Sequence, residues 1–272
     1  MSRTSPPLGI AHFSCIEMRP ADFVDLAGQV GYASVGLRLH PAFPGAPFYR
    51  LAPRSAEMRQ TKTALRQAGI GVYDIEFVVV DGAFSPTNLS AVLDSAAELG
   101  ARRLSVCGDD PDNGRFVANL SALAELTAAV GMAVDLEIMP WRQIGTLETA
   151  VRAVAATEMT NVGVLVDALH LARSGGSPGD LIRLPPSMIR SVQLCDAQAE
   201  RPEDTAALIA EARGGRLLPG FGALPLGDLL GVSPQDAVIS VEVPKGAEPG
   251  EVHLRALFDA TTRILHTRRS AA

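Results

Sequence analysis

Eight times along this chain a short run of β-forming residues is followed by a longer stretch with helical periodicity. The runs are "LGIAHF" (8–13), "ASVGLRL" (33–39), "GVYDIEFV" (71–78), "RRLSVC" (102–107), "AVDLEI" (133–138), "VGVLVD" (162–167), "IRSVQLC" (189–195) and "AVISVEV" (237–243). Strands that alternate with helices pair in parallel through right-handed crossovers. Eight such units in about 250 residues predict α/β architecture closed into a single (β/α)8 TIM barrel. The competitor is a doubly wound open sheet, which normally carries a glycine fingerprint behind its first strand; "AHFSCIEMRP" (11–20) has none.

Local signals agree with the alternation. "PADFVDLAGQVG" (20–31) and "SPTNLSAVLDSAAELG" (85–100) both place proline near the start and glycine just past the end, the asymmetry of helix termini. No linker divides the chain, so residues 1–272 read as one domain. The proline- and glycine-rich stretches "HPAFPGAPFYR" (40–50) and "GGRLLPGFGALPLG" (214–227) follow strands and read as long βα loops. On a barrel that is the side where chemistry is kept.

Composition excludes several function classes. The formal charge is −6 and no lysine or arginine run occurs, so a phosphate backbone would meet repulsion rather than attraction, and nucleic acid is not an expected partner. Cys15, Cys107 and Cys195 are odd in number, widely spaced and lack any CxxC, which argues against a disulfide framework and a thiolate zinc site. "MSRTSPPLGIAHF" has no signal-peptide apolar core, and no stretch approaches the roughly 18 apolar residues that span a bilayer. The expectation is a cytoplasmic protein with no membrane partner.

In a barrel the carboxyl ends of the strands converge on one mouth. The last positions of the runs bring there Arg38, Glu76, Asp109 and Asp110, Glu137, Asp167 with His170 beyond it, Gln193 and Asp196, and Glu242. Carboxylates crowded into one concave site repel one another unless a cation intervenes. Glu137, Asp167, Gln193 and Glu242, from four successive strands, offer four side-chain oxygens to one ion, and oxygen ligation favours Mn²⁺ or Mg²⁺ over zinc. Plainer readings stand beside this one. Asp167 alone suits a helix cap, Glu76 and Arg38 suit a buried pair, and Trp141 suits packing. Asp109, Asp110 and Asp112 suit a solvated turn, while His12 and His40 suit structural roles.

At these residues the chain resembles the xylose-isomerase-like barrel superfamily, which holds sugar phosphate isomerases and epimerases, inosose dehydratases, 3-dehydroshikimate dehydratases and the more distant endonuclease IV. The resemblance is carried by "DLEIMPW" (135–141), "GVLVDALHLARSGG" (163–176), "SVQLCDA" (191–197), "GRLLPGFG" (215–222) and "SVEVP" (240–244). It implies metal ligands at Glu137, Asp167, Gln193 and Glu242, with substrate contacts from His170 and Arg216. Gln193 stands where epimerases usually have histidine; some dehydratases of the superfamily look similar in using glutamine. Phe221 stands in "PGFG" where Glu or Gln is common.

The leading expectation is a divalent-metal-dependent isomerase or epimerase of a small sugar, sugar phosphate or hydroxy-ketone, working through a metal-stabilised enediolate. Glu137 and Glu242 would be its two acid–base groups. Arg216, Arg38, Glu76 and Trp141 would bind a carbohydrate-like substrate. The rival is a dehydratase of a cyclic hydroxy-ketone, with His170 donating to the leaving hydroxyl. A third reading is a non-catalytic binding protein on the same scaffold. Endonuclease chemistry fits poorly, because a trinuclear zinc cluster needs more histidines than the five present. A homo-oligomer is compatible with all of these, although no segment commits to an interface.

Overall fold

The computed structural model describes residues 7–271, with side chains through residue 266; the first six residues of the amino-terminal segment considered above lie outside the described residues. Eight parallel strands form a closed barrel in sequence order: β1 (Gly9–Ile10), β2 (Ser34–Arg38), β3 (Gly71–Val80), β4 (Arg103–Gly108), β5 (Ala133–Glu137), β6 (Val162–Asp167), β7 (Ile189–Leu194) and β8 (Val238–Val241). The last strand pairs with the first, Ser240 opposite Gly9 and Val241 opposite Ile10, so no edge remains. The fold is thus the (β/α)8 barrel that the alternation predicts.

The outer layer contains α1 (Pro20–Val30), α2 (Ala56–Ala68), α3 (Ser90–Leu99), α4 (Asn113–Ala129), α5 (Leu147–Thr157), α6 (Ala168–Arg173), α7 (Pro178–Leu181), α8 (Thr205–Ala210), α9 (Leu226–Val232) and α10 (Gly250–Ala271). Their ends follow from local chemistry. Helix α1 begins on a proline and stops at Gly31, whose φ of 114° suits glycine and whose N–H returns to the Ala27 carbonyl. Helix α5 opens with a capping box in which Thr146 and Thr149 exchange side-chain and backbone hydrogen bonds. Helix α6 starts with no intervening loop, because Asp167 ends β6 and accepts the His170 N–H at 2.9 Å as the cap.

The barrel interior is unusually polar below its mouth. Asp135 on β5 accepts from the Ser191 hydroxyl on β7 at 2.5 Å, passing behind β6, which only two inward-facing side chains can do. The other oxygen of Asp135 pairs with Arg103 at 2.8 Å. Asp74 on β3 is held by both the amide and the hydroxyl of Ser105. By period two, Glu76 and Glu137 lie one layer nearer the mouth than Asp74 and Asp135, so "DIE" and "DLE" on β3 and β5 build matching steps. Apolar packing surrounds this column between strands and helices, with Leu104, Leu120, Leu123 and Leu136 fully buried.

The first strand is shorter than the 8–13 expected from sequence. His12 and Phe13 turn out of the sheet because their amides donate to the Glu76 carboxylate at 2.6 and 3.2 Å, and a 3-10 turn follows over His12–Cys15. Residues 40–50 form no helix or strand, as a long βα loop predicts. Among the described residues no helix is long and apolar enough to cross a membrane.

Candidate active site

The carboxyl ends of the strands surround a cleft. Its floor is made by Glu137, Glu242, His170, Arg216 and Arg38. Its walls include Phe13, Phe43, Phe77, Met139, Trp141, Arg142 and Arg213.

Asp167 and Gln193 stand opposite each other in the β6–β7 register. Glu137 closes β5, and Glu242 follows β8 with its N–H donated to the Leu194 carbonyl. All four side chains are buried. Ligating atoms of Glu137, Asp167 and His170 all lie within 4.8 Å of one another. The Gln193 amide makes no hydrogen bond to any described residue. Glu242 is linked to the others through Arg216 rather than directly.

Arg216 is the centre of this network. Its Nη1 donates to Asp167 Oδ2 at 2.7 Å and to the Glu242 carbonyl at 3.2 Å, with Cys195 Sγ at 3.4 Å. Its Nε donates to the Ala212 carbonyl at 3.0 Å. Its Nη2 faces Glu242 Oε2 at 3.2 Å and His170 Nε2 at 3.4 Å. Arg216, expected to contact substrate, lines the cleft and also braces Asp167 against Glu242.

Arg216 can only donate, so His170 Nε2 is the accepting nitrogen and Nδ1 carries the proton. That Nδ1 is buried without a partner among the described residues. The Glu137 carboxylate lies 3.8 Å from Nε2, and the Trp141 ring meets the imidazole edge-on at a centroid distance of 5.2 Å. Burial pushes the His170 imidazole down to about 4, so it is neutral at rest. Burial, then repulsion from Asp167 and Glu242, holds the Glu137 carboxyl well above the usual carboxylate range. Asp167 is held below it, where the Arg216 charge overcomes the cost of burial.

Glu76 and Arg38 form the buried pair that the plainer reading anticipates, with Nη2 to Oε2 at 3.3 Å. The remaining capacity of Glu76 goes to the His12 and Phe13 amides, so it braces the mouth and does not line the cleft. Arg38 does line it, with its guanidinium 4.5 Å from the Phe13 ring centroid and 5.4 Å from that of Phe77 and its Nε unpartnered. His12 is structural: it is stacked on Phe23 at 4.7 Å and bonded to the Met18 carbonyl through Nε2 at 2.9 Å. Asp112 caps α4, Asp110 pairs with Arg115 and Asp109 with Arg142, so the acidic loop is a tied turn. Asp196 gathers the amides of Ala197, Gly220 and Leu224 and so fixes the loop that carries Arg216.

When ionised, the three buried carboxylates Glu137, Asp167 and Glu242 outnumber by two the one guanidinium that pairs among them, Arg216, because Arg38 is already paired with Glu76. A hard divalent cation fits that deficit and this donor set. Sequence reasoning missed Phe13, Phe43, Phe77, Met139, Arg142 and Arg213 as lining residues. Arg142 had a signal, since it adjoins Trp141 in the β5–α5 loop; Phe43 and Arg213 had none, because loop geometry brings them together.

A family model described as xylose isomerase-like TIM barrel matches residues 24–257. The chain belongs to that family. A curated 3-dehydroshikimate dehydratase from Pseudomonas aeruginosa is 29% identical over 143 residues, covering 50% of this chain and 22% of the relative, so the match takes in about a fifth of that protein's length. Among solved structures, a xylose isomerase-like TIM barrel/4-hydroxyphenylpyruvate dioxygenase fusion protein superposes with a TM-score of 0.80 at 18% identity, over 98% of this chain and 45% of its own. The probable 3-DHS dehydratase AsbF from Bacillus anthracis gives 0.76 at 16%, over 94% and 99%. D-psicose 3-epimerase gives 0.70 at 14%, over 97% and 99%. At these identities the structures share the fold.

Proposed function

We propose that this chain is a divalent-metal-dependent lyase that removes water from a small cyclic hydroxy-ketone, of the kind exemplified by 3-dehydroshikimate. The observation that carries the reading is the Glu137–His170 pair, 3.8 Å apart and buried beside a donor set two positive charges short. The aligned dehydratase and the glutamine at position 193 support the same choice over the isomerase reading.

Glu137, Asp167, Gln193 and Glu242 are the residues that would hold the ion, whose contribution is Lewis-acid polarisation of a carbonyl. The remaining steps belong to the chain. Neutral His170 exchanges its long 3.4 Å contact with Arg216 for substrate and offers its Nε2 lone pair to the proton on the carbon next to the carbonyl. The Glu137 carboxylate stabilises the resulting imidazolium. His170 then returns the same proton to the hydroxyl leaving from the adjacent carbon, so water departs and a carbon–carbon double bond remains. One acid–base group acts on one face, which is the arrangement a syn elimination needs. Arg38, held by Glu76 and flanked by two phenyl rings, and Trp141 orient the ring.

A second reading is favoured by topology. Glu137 on β5 and Glu242 after β8 approach from well-separated sides of the eight-stranded ring, as two opposed bases in an epimerase would. Incubation of the Mn²⁺-loaded protein with 3-dehydroshikimate in D2O separates the two. Appearance of an ultraviolet-absorbing aromatic product, lost in His170→Ala, is the expected result. Deuterium entering the carbon acid without dehydration would instead favour epimerisation, and neither event would reject both.

A further inference from the structure

The outer end of the cleft carries a cation with no hydrogen-bond or ion-pair partner among the described residues. Arg213 lies in the π turn Glu211–Gly215, a rare backbone form that concentrates at functional sites. Its guanidinium is seated over the Phe43 ring at 4.3 Å, so two distant loops meet across the mouth. Among the described residues it makes no hydrogen bond and no ion pair. The other three arginines of the cleft differ. Arg216 is bonded to Asp167 and the Ala212 carbonyl, Arg38 pairs with Glu76, and Arg142 pairs with Asp109 at 2.5 Å.

We propose that Arg213, held on Phe43, is the specificity residue that binds an anionic group, carboxylate or phosphate, at the outer end of the substrate. This rests on the reading of the cleft as the substrate site. A guanidinium stacked on an aromatic face is pre-oriented and keeps its planar edge free for a bidentate anion. The mouth attracts that anion, so the molecule enters with its hydroxy-ketone end inward, toward Glu137 and His170.

The test is equilibrium binding, which needs no turnover. Shikimate and its methyl ester share a ring and hydroxyls and differ in the carboxylate charge. Wild-type Mn²⁺-loaded protein should bind shikimate at least tenfold more tightly than the ester by equilibrium dialysis. Arg213→Ala should bring that ratio close to one while leaving ester affinity within about twofold, and Phe43→Ala should reduce the ratio partly. Inorganic phosphate at millimolar concentration distinguishes the two anions, displacing shikimate strongly if the subsite prefers phosphate and weakly if it prefers carboxylate. An unchanged ratio in Arg213→Ala, an equal affinity of the wild type for both compounds, or no binding of either at 10 mM would overturn the proposal. Failure to dehydrate 3-dehydroshikimate with the binding ratio intact would count against the proposed reaction and leave the anion subsite standing.

Discussion

Replacing Arg216 with alanine removes the only guanidinium among the described residues that touches both Asp167 and Glu242, at 2.7 and 3.2 Å, from a position where its side chain is 2% exposed. Breaking a buried ion pair costs about 3–5 kcal/mol, because the partner charge stays behind without compensation. For a chain of this size each kcal/mol moves the melting temperature by about 2–4 °C, so the variant should melt about 6–20 °C lower in chelator. The stranded carboxylates can relieve the cost by taking up protons, so the loss should grow as pH rises and shrink toward acid. An added divalent cation supplies the missing charge, and Mn²⁺ should raise the melting temperature of Arg216→Ala by more than it raises that of the wild type. Arg216→Lys keeps the charge without the fork and should fall between the two. Differential scanning calorimetry with and without chelator at several pH values measures all of this. A drop under 2 °C in chelator at pH 8, or a Mn²⁺ shift no larger than that of the wild type, would refute the bracing role.

Two further perturbations probe the interior beneath the site. Burial raises the Asp74 carboxyl well above its usual range, so this group stabilises the fold while protonated and that stability is lost as pH rises through its folded value. Asp74→Asn can keep both Ser105 contacts, so the variant should be no less stable at acid pH and more stable than wild type at alkaline pH; parallel melting curves across pH would count against it. At Gly36 a Cβ would collide with the Glu76 carboxylate, so Gly36→Ala should cost about 1–3 kcal/mol in chemical denaturation and loosen the Arg38 pair. An unchanged midpoint would show that Glu76 is free to move.

The barrel was legible because its signal repeats. Each strand could be located from its own run, and the order closed the ring without any long-range information. The placing of residues 137, 167, 193 and 242 at the barrel mouth was legible for the same reason, since strand ends converge there. Roles were harder to see. Asp167 is both helix cap and ion-pair partner, so the two sequence readings of it are compatible. Arg216 sits in a motif that suggests substrate contact, and its further bonds to the Ala212 carbonyl, Asp167 and Glu242 need three dimensions to see. The early end of β1 also depends on a distant group, Glu76, which captures two amides 63 and 64 residues away. Arg213 and Phe43 belong to loops whose paths no periodicity encodes.

The central claim is that Glu137, Asp167, Gln193 and Glu242 close around one divalent ion. Anomalous diffraction at the manganese edge, from crystals grown with Mn²⁺, tests it most directly. The account predicts one strong peak with oxygens of all four side chains about 2.0–2.6 Å away. No peak within coordinating distance of those oxygens, with the Arg216 guanidinium still filling the space between Asp167 and Glu242, would contradict it.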